Sequence, residues 1–464
     1  MQKNNKLFIF LIFAILIFLF TAAPVYKSSQ EGTNNSSYEI NNNNGKDFIE
    51  ISNFFTCEVT GIIDPPISNY VTKCLQKSHE SGYGLIILMN TPGGLETSMR
   101  EIITEILNTD IPVIVFIYPK GSRAASAGTF ITYSADLAAM APLTSIGAAH
   151  PVNLGGDQQV SGDILDKVTN DSVSYIKNLA ISKDRNPKWA EKAVRESASI
   201  TAEEALELGV IELTALDTEE LLKKIDGKII DKSGSSFLIR SDGSTAEKID
   251  IDFITSFLHT IVNPNIAYLL FIIGIFGLIY EFSQPGLGIS GAVGILFIIL
   301  GLYSFSILPI NYAGLALIIL AIILFIIDII IGSGGILSIA GVASLVIGSF
   351  LLINTGASYL KITRSLILSA SLVVSGFIII VIRAAYRAHQ LKPATGKEEI
   401  TGKTAVVCQD LNPGGMVKVS GEIWKAVSIN GKKIKKGRKV RIISLEGLTL
   451  MVNLLNKNKN KNKK

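Results

Sequence analysis

A long apolar block in the second half of the chain constrains the fold more than any other feature. Within residues 266–381 the charged side chains are Glu281, Asp328, Lys361 and Arg364. A soluble domain of this length would carry many more charges, because its surface faces water. The block therefore predicts a multi-span α-helical membrane domain over residues 265–383.

The block divides into about five hydrophobic segments, each close to the ~20 residues that a membrane-spanning helix requires. We expect these helices at residues 266–282, 289–305, 313–331, 336–353 and 365–382. Glycines such as Gly274 and Gly294 recur along the segments. They would let neighbouring helices approach closely, or would end helices at loops.

The ends of the chain predict an orientation. Lys3 and Lys6 precede an apolar run, so residues 1–23 are expected to form a signal peptide or an uncleaved N-terminal anchor. Residues 24–46 are rich in Asn and Ser and indicate a polar linker. Basic side chains at positions 383, 387 and 392 follow the last apolar segment, which predicts a cytoplasmic C-terminal part. The region between the linker and the apolar block is then extracytoplasmic.

Residues 47–255 alternate apolar runs with amphipathic segments. The runs at 84–89 and 113–118 are typical of buried strands. Helices are expected at residues 95–107, 168–181 and 187–196, and a capping-box pattern at Thr201 and Glu204 begins another that Gly209 ends. Alternation of this kind predicts an α/β layered fold with covered faces.

Residues 396–455 change to about five short strands separated by turns, which predicts a small all-β barrel of the OB type. Trp424 is its one evident aromatic platform, so we expect no nucleic acid as a partner. From 391 to 464 the chain has 17 Lys and Arg against 5 Asp and Glu, which favours contact with a lipid membrane. Residues 456–464 are all Lys and Asn and indicate a disordered basic tail.

Cysteine and histidine spacing gives no sign of a metal site. The three cysteines form no CxxC pair, and the four histidines are scattered. Cys57 and Cys74 either pair outside the cytoplasm or are two buried thiols.

Ser126 is the first candidate for a catalytic residue. It lies in the sequence Ala-Ala-Ser-Ala-Gly (124–128), after an apolar strand and at the start of a predicted helix. Small neighbours would let a substrate backbone approach, and free N–H groups at a helix start favour a nearby oxyanion. The same pattern also fits a helix start that merely packs closely on the sheet.

A second glycine-rich turn, Asn-Thr-Pro-Gly-Gly (90–94), follows one buried strand and precedes a helix. Gly93 and Gly94, together with the amide of Ala127, could present N–H groups to an oxyanion, as acyl transfer requires. An ordinary strand-to-helix turn would have the same composition.

Lys167 is the candidate general base. It would act only when neutral, which requires burial or a nearby positive charge. A solvated helix lysine is the alternative. His150 is a weaker candidate base, and Ser122 and Ser145 are weaker candidate nucleophiles.

In combination, these motifs resemble the long form of the NfeD family, membrane-bound serine proteases related to Clp protease and signal peptide peptidase A. The matching segments are 90–94, Gly-Ser-Arg-Ala-Ala-Ser-Ala-Gly-Thr (121–129), 139–142, 145–151, 167–177 and Gly-Glu-Ile-Trp-Lys-Ala (421–426). The resemblance covers almost the whole chain.

The resemblance implies a Clp-like, crotonase-like serine protease domain over 47–255 and a Ser-Lys dyad. Ser126 would be the nucleophile, and Lys167, which is preferred over Lys177, would be the base. The oxyanion site would consist of Gly93, Gly94 and Ala127. It implies no metal and no cofactor, a homodimer or larger homo-oligomer, and cleavage of apolar stretches in stomatin-like membrane proteins.

Two other functions remain open at this stage. One is a membrane scaffold that organises a stomatin-like protein without catalysis, against which the intact Ser126 and Lys167 argue. The other is an acyl-CoA enzyme, because a crotonase-like fold also carries that chemistry. An extracytoplasmic location argues against CoA.

Overall fold

The computed structural model describes residues 40–43, 46–151, 162–283, 288–331, 333, 335–353, 355–390 and 400–455. They form two compact units, divided between Asn263 and Pro264, with the short segment Gly356–Tyr359 belonging to the first unit. The expected signal or anchor, most of the polar linker and the basic tail lie outside the described residues.

The first unit is an α/β domain, as the alternating pattern predicts. Its strands are β1 (Ile40–Asn43), β2 (Lys46–Ile51), β3 (Phe54–Thr60), β4 (Gly84–Asn90), β5 (Val113–Ile117), β6 (Arg123–Ala125), β7 (Leu137–Met140), β8 (Ser145–Gly147), β9 (Ser199–Thr201), β10 (Leu213–Thr214), β11 (Ile229–Lys232), β12 (Ser235–Ile239) and β13 (Ala246–Ile249). Its helices are α1 (Pro65–Ser81), α2 (Glu96–Asn108), α3 (Ala127–Ser134), α4 (Gly162–Ser182), α5 (Pro187–Arg195), α6 (Ala202–Glu207), α7 (Thr218–Ile225) and α8 (Phe253–Val262).

A parallel sheet of six strands, in the order β10-β7-β5-β4-β3-β13, forms the centre of this unit. Every residue of β5 is fully buried, because parallel sheets are covered on both faces. This explains why β4 and β5 are continuous apolar runs in the sequence. Two smaller sheets, β6-β8-β9 and β1-β2-β12-β11, complete the domain.

Most local predictions in this unit are confirmed. The capping box at Thr201 and Glu204 is formed in both directions at the start of α6. The helix predicted from residue 168 is longer than expected, because α4 already begins at Gly162. Lys167 therefore lies in the second turn of α4 rather than just before it.

The second unit begins with five helices: α9 (Pro264–Ser283), α10 (Ile289–Ile307), α11 (Tyr312–Ile331), α12 (Ile336–Leu352) and α13 (Arg364–Gln390). By length and composition, α9 and α10 can cross a membrane, whereas the apolar stretches of the other three are shorter. A methyl group on Gly274 would lie 2.7 Å from the carbonyl oxygen of Gly294, so these glycines serve close helix packing.

Asp328, the one acidic residue inside α11, has a structural role. Its carboxylate accepts hydrogen bonds from the hydroxyls of Ser333 and Ser338 and from the Ser338 N–H at 3.0 Å. It thereby satisfies donors at the start of α12 that would otherwise lack a partner.

The unit ends in the predicted five-stranded barrel. Its strands are β14 (Thr404–Gln409), β15 (Gly414–Val419), β16 (Glu422–Ser428), β17 (Lys439–Glu446) and β18 (Thr449–Leu454). They close in the order β14-β15-β16-β18-β17 around a small aliphatic core.

Candidate active site

Ser126 occupies a strained position between β6 and α3. It is the N-cap of α3, with φ 52° and ψ −114°, a conformation that non-glycine residues rarely adopt. Its N–H donates to the Gly147 carbonyl at 3.0 Å, and its own carbonyl accepts from the Thr129 N–H at 2.9 Å. Strain that the surrounding structure holds in place is characteristic of functional positions.

The strands around Ser126 fix this geometry. β6 pairs in parallel with β8, and the Thr129 hydroxyl donates to the carbonyls of Ala124 and Gly147 at 3.0 and 2.8 Å. The Ala125 N–H donates to the Thr91 carbonyl at 3.1 Å, which ties the nucleophile turn to the glycine-rich turn.

The glycine-rich turn lies directly against Ser126. Gly93 is buried and has φ +121°, and a methyl group at this position would lie 2.7 Å from Cβ and 3.2 Å from Oγ of Ser126. Only glycine fits so close an approach in that backbone conformation. The structure thus brings together two motifs that are separate in the sequence.

The N–H groups of the two turns differ in availability. The Gly93 N–H donates to the Thr91 hydroxyl at 3.0 Å. Within the ranges that the structure describes, the N–H groups of Gly94 and Ala127 donate to no other group. Ala127 is the first residue of α3, where the helix dipole favours negative charge. Of the three amides that the sequence predicts for an oxyanion site, these two have no acceptor among the described residues.

Lys167 is exposed in the second turn of α4 and makes no hydrogen bond in the described part of the chain. Asp171, one turn further along, accepts from Arg100 of α2 at 2.6 Å, and the Tyr175 ring stacks on Phe130 of α3 at 6.0 Å. Lys167 itself lies on the side of α4 opposite the buried positions Thr169, Val173 and Ile176, so its side chain faces solvent.

The other candidates have structural partners. Lys177 forms an ion pair with Glu191 at 2.8 Å. The His150 ring nitrogen Nδ1 lies 2.8 Å from the Val194 carbonyl. Ser122 is buried and Ser145 lies in β8. Among the described residues no cluster of three His, Cys, Asp or Glu could hold a metal ion.

Tyr359 is a member of the site that the sequence gave no reason to expect. It belongs to the same compact unit as Ser126. A methyl group at Gly93 would lie 2.8 Å from the Tyr359 hydroxyl and 3.2 Å from Oγ of Ser126, so both hydroxyls lie beside this glycine. Burial raises the pKa of Tyr359, and the neighbouring Ser126 hydroxyl opposes this rise only in part, so the phenol stays protonated.

Three family models match the chain. The NfeD1b N-terminal domain matches residues 54–231, the NfeD integral membrane domain matches 265–384, and the NfeD-like C-terminal, partner-binding domain matches 397–453.

Two relatives match nearly the whole chain. The membrane-bound protease PH1510 of Pyrococcus horikoshii is 39% identical over 406 residues, which is 85% of this chain and 91% of that protein. The membrane protein NfeD1b of Bacillus subtilis is 26% identical over 420 residues, 84% of this chain and 90% of its own. Among solved structures, a mutant of the 1510-N membrane-bound stomatin-specific protease in complex with a substrate peptide is 33% identical; the match covers 46% of this chain and 98% of that one, with a TM-score of 0.42.

Proposed function

This chain belongs to the NfeD family, and from that premise we propose that it is a membrane-anchored serine endopeptidase with a Ser-Lys dyad. The observation that carries the proposal is the arrangement at Ser126. Ser126 is held at φ 52° at the start of a helix, and Gly93 can lie so close to it only because glycine has no side chain. The N–H groups of Gly94 and Ala127, in the same two turns, have no acceptor among the described residues.

In this mechanism the Ser126 hydroxyl attacks the carbonyl carbon of the scissile peptide bond while Lys167, in its neutral form, accepts the hydroxyl proton. The N–H groups of Gly94 and Ala127 stabilise the negative charge that develops on the carbonyl oxygen. The Gly93 N–H already donates to Thr91, so the role of Gly93 is to let the substrate backbone approach closely. The protonated lysine then gives its proton to the leaving amine, and water releases the acyl group from Ser126.

Two features of α4 support Lys167 rather than Lys177 as the base. Lys177 is engaged in an ion pair with Glu191 at 2.8 Å. Lys167 has no hydrogen bond or ion pair among the residues described, so its amine is not engaged elsewhere. Its amine is exposed in this structure, so the mechanism requires it to move toward Ser126 when substrate binds and shields both from water.

The substrates we propose are apolar segments of stomatin-like membrane proteins. The solved relative is described as a stomatin-specific protease, and one family model describes the C-terminal domain as partner-binding. We propose that the barrel is an OB fold that contacts such a partner on the cytoplasmic side. The α/β domain, with a Clp-like, crotonase-like fold, would be extracytoplasmic, four or five of the helices α9–α13 would span the membrane, and the protein would be a homodimer or larger.

A direct test uses the full-length protein in lipid nanodiscs and a panel of apolar peptides, with products identified by mass spectrometry. Wild type and Ser122→Ala should cleave alike, because Ser122 is a buried neighbour outside the proposed machinery, whereas Ser126→Ala should be inactive. Lys167→Ala should likewise be inactive, with Lys177→Ala as its control. Equal cleavage by Ser126→Ala would remove the nucleophile assignment. Absence of cleavage by every folded form would favour the non-catalytic scaffold.

A further inference from the structure

Tyr359 is delivered to the nucleophile by a distant part of the sequence. It lies in a single 3-10 turn, Ser358–Leu360, that connects α12 to α13 in the chain. The preceding Ala357 is 4% exposed, so this turn is anchored by burial rather than projecting freely into solvent. A tyrosine so placed can remain at the site without substrate.

The position of the Tyr359 hydroxyl conflicts with productive substrate binding. A scissile carbonyl must come within about 3–3.5 Å of the attacking oxygen. The phenol oxygen lies beside Gly93, along whose backbone the substrate would pass, and a methyl group on that glycine would be 2.8 Å from it and 3.2 Å from Oγ of Ser126. A peptide carbonyl approaching Ser126 along Gly93 would therefore compete with the Tyr359 hydroxyl for this space.

The position of Tyr359 also affects the proposed dyad of Ser126 and Lys167. In this structure the Tyr359 hydroxyl lies beside the Ser126 hydroxyl, whereas Lys167 is exposed and has no hydrogen-bond partner in the described part of the chain. The serine therefore has a protonated phenol, and not its proposed base, as its neighbour. The site thus has the parts of a hydrolase in an arrangement that does not activate the serine.

We propose that Tyr359 is an autoinhibitory residue, which occupies the substrate position at Ser126 in the resting protein and must be displaced before a peptide can be cut. This inference rests on the proposed function and adds a regulatory step to it. Displacing the turn would free the Ser126 hydroxyl for Lys167 and open the space beside Gly93. An apolar peptide would compete directly with the tyrosine ring for the site.

The occupancy can be measured without relying on cleavage. Full-length protein in nanodiscs would carry Ser126→Cys together with Cys408→Ser, because Cys57 and Cys74 are buried and Cys408 is partly exposed. The alkylation rate of the introduced thiol by a maleimide reports access to the site. Adding Tyr359→Ala should raise that rate at least about tenfold, and Tyr359→Phe, which keeps the ring and loses only the hydroxyl, about fivefold. Tyr312→Ala, at an exposed tyrosine elsewhere, should leave it unchanged.

Equal alkylation rates with and without Tyr359 would overturn the proposal. In the otherwise wild-type protein, Tyr359→Ala should also raise kcat/KM for a short apolar peptide. A decrease would mean that Tyr359 assists catalysis, which likewise overturns autoinhibition. If no variant cleaves any peptide, the proposed protease function fails, but the alkylation rates still decide whether Tyr359 blocks the site.

Discussion

Replacing Gly93 by alanine should abolish peptide cleavage while leaving the protein folded. The added methyl group would lie 2.7 Å from Cβ and 3.2 Å from Oγ of Ser126. Carbon atoms in contact normally stay about 3.5–4.0 Å apart, so one of the two residues must move by close to 1 Å. The Ile63 N–H donates to the Gly93 carbonyl and the Gly93 N–H to Thr91, so the glycine is tied on both sides.

The size of the effect follows from this displacement. A misplacement of about 1 Å at a reacting group can lower the rate about 100-fold. Overpacking a buried position costs about 1–3 kcal/mol, and the positive φ of Gly93 adds about 1–2 kcal/mol for an L-residue. We therefore expect kcat to fall at least about 100-fold and the free energy of unfolding to fall by about 2–5 kcal/mol.

Gly121→Ala is the matched control, because Gly121 also has a positive φ, +86°, but nothing lies within 4 Å of an added methyl group. It should lose only the backbone contribution, about 1–2 kcal/mol, and keep its kcat. The assay is single-turnover peptide cleavage beside thermal unfolding. Near-wild-type cleavage by Gly93→Ala would refute the assignment of this turn to the active site.

Three further predictions concern stability. Asp136→Asn should cost about 3–5 kcal/mol, because it removes the negative charge that pairs with the buried Lys232 amine at 2.6 Å and with Lys183. Glu219→Gln, in an exposed pair, should have no measurable effect; denaturant unfolding checks both. Burial lowers the pKa of Lys232, with Asp136 opposing, so in Asp136→Asn the pKa should fall further below its ordinary 10.5. Between the folded-state and unfolded-state pKa values of Lys232, the unfolded chain binds more protons, so the free energy of unfolding of the variant rises with pH. The stability difference between Asp136→Asn and wild type should therefore shrink toward pH 10, and a difference that is constant with pH would contradict this. Asp328→Ala should cost about 1–3 kcal/mol, because the donors at the start of α12 lose their acceptor; thermal unfolding in detergent, with Asp328→Asn as the milder change, measures it.

The sequence was sufficient to predict secondary structure where the local residue pattern and the burial of the element agree. Continuous apolar runs predicted β4 and β5, because both faces of a parallel sheet are covered. Reciprocal side-chain bonds at Thr201 and Glu204 depend on residues three apart, so the capping box could be recognised directly. The extent of α4 was underestimated, because the polar run 162–166 gives no apolar period although it continues the helix.

The residues of the candidate site could be named from the sequence, but their contacts with one another could not. Nothing in an Ala-Ala-Ser-Ala-Gly sequence specifies that Ser126, and not a glycine, adopts a positive φ, since the Gly147 carbonyl that holds it comes from another strand. Sequence motifs could not show that Thr91 occupies the Gly93 N–H. Tyr359 carries no motif at all, and its position depends on tertiary structure alone.

The most direct test of the central claim is to trap the acyl-enzyme. Full-length protein in nanodiscs would be mixed with an apolar peptide substrate, quenched in acid within one turnover, digested and mapped by mass spectrometry. The account predicts that the N-terminal product is attached to Ser126, that Lys167→Ala greatly reduces this adduct, and that Ser126→Ala forms none. Attachment to a different residue, or cleavage by Ser126→Ala at the wild-type rate, would contradict it.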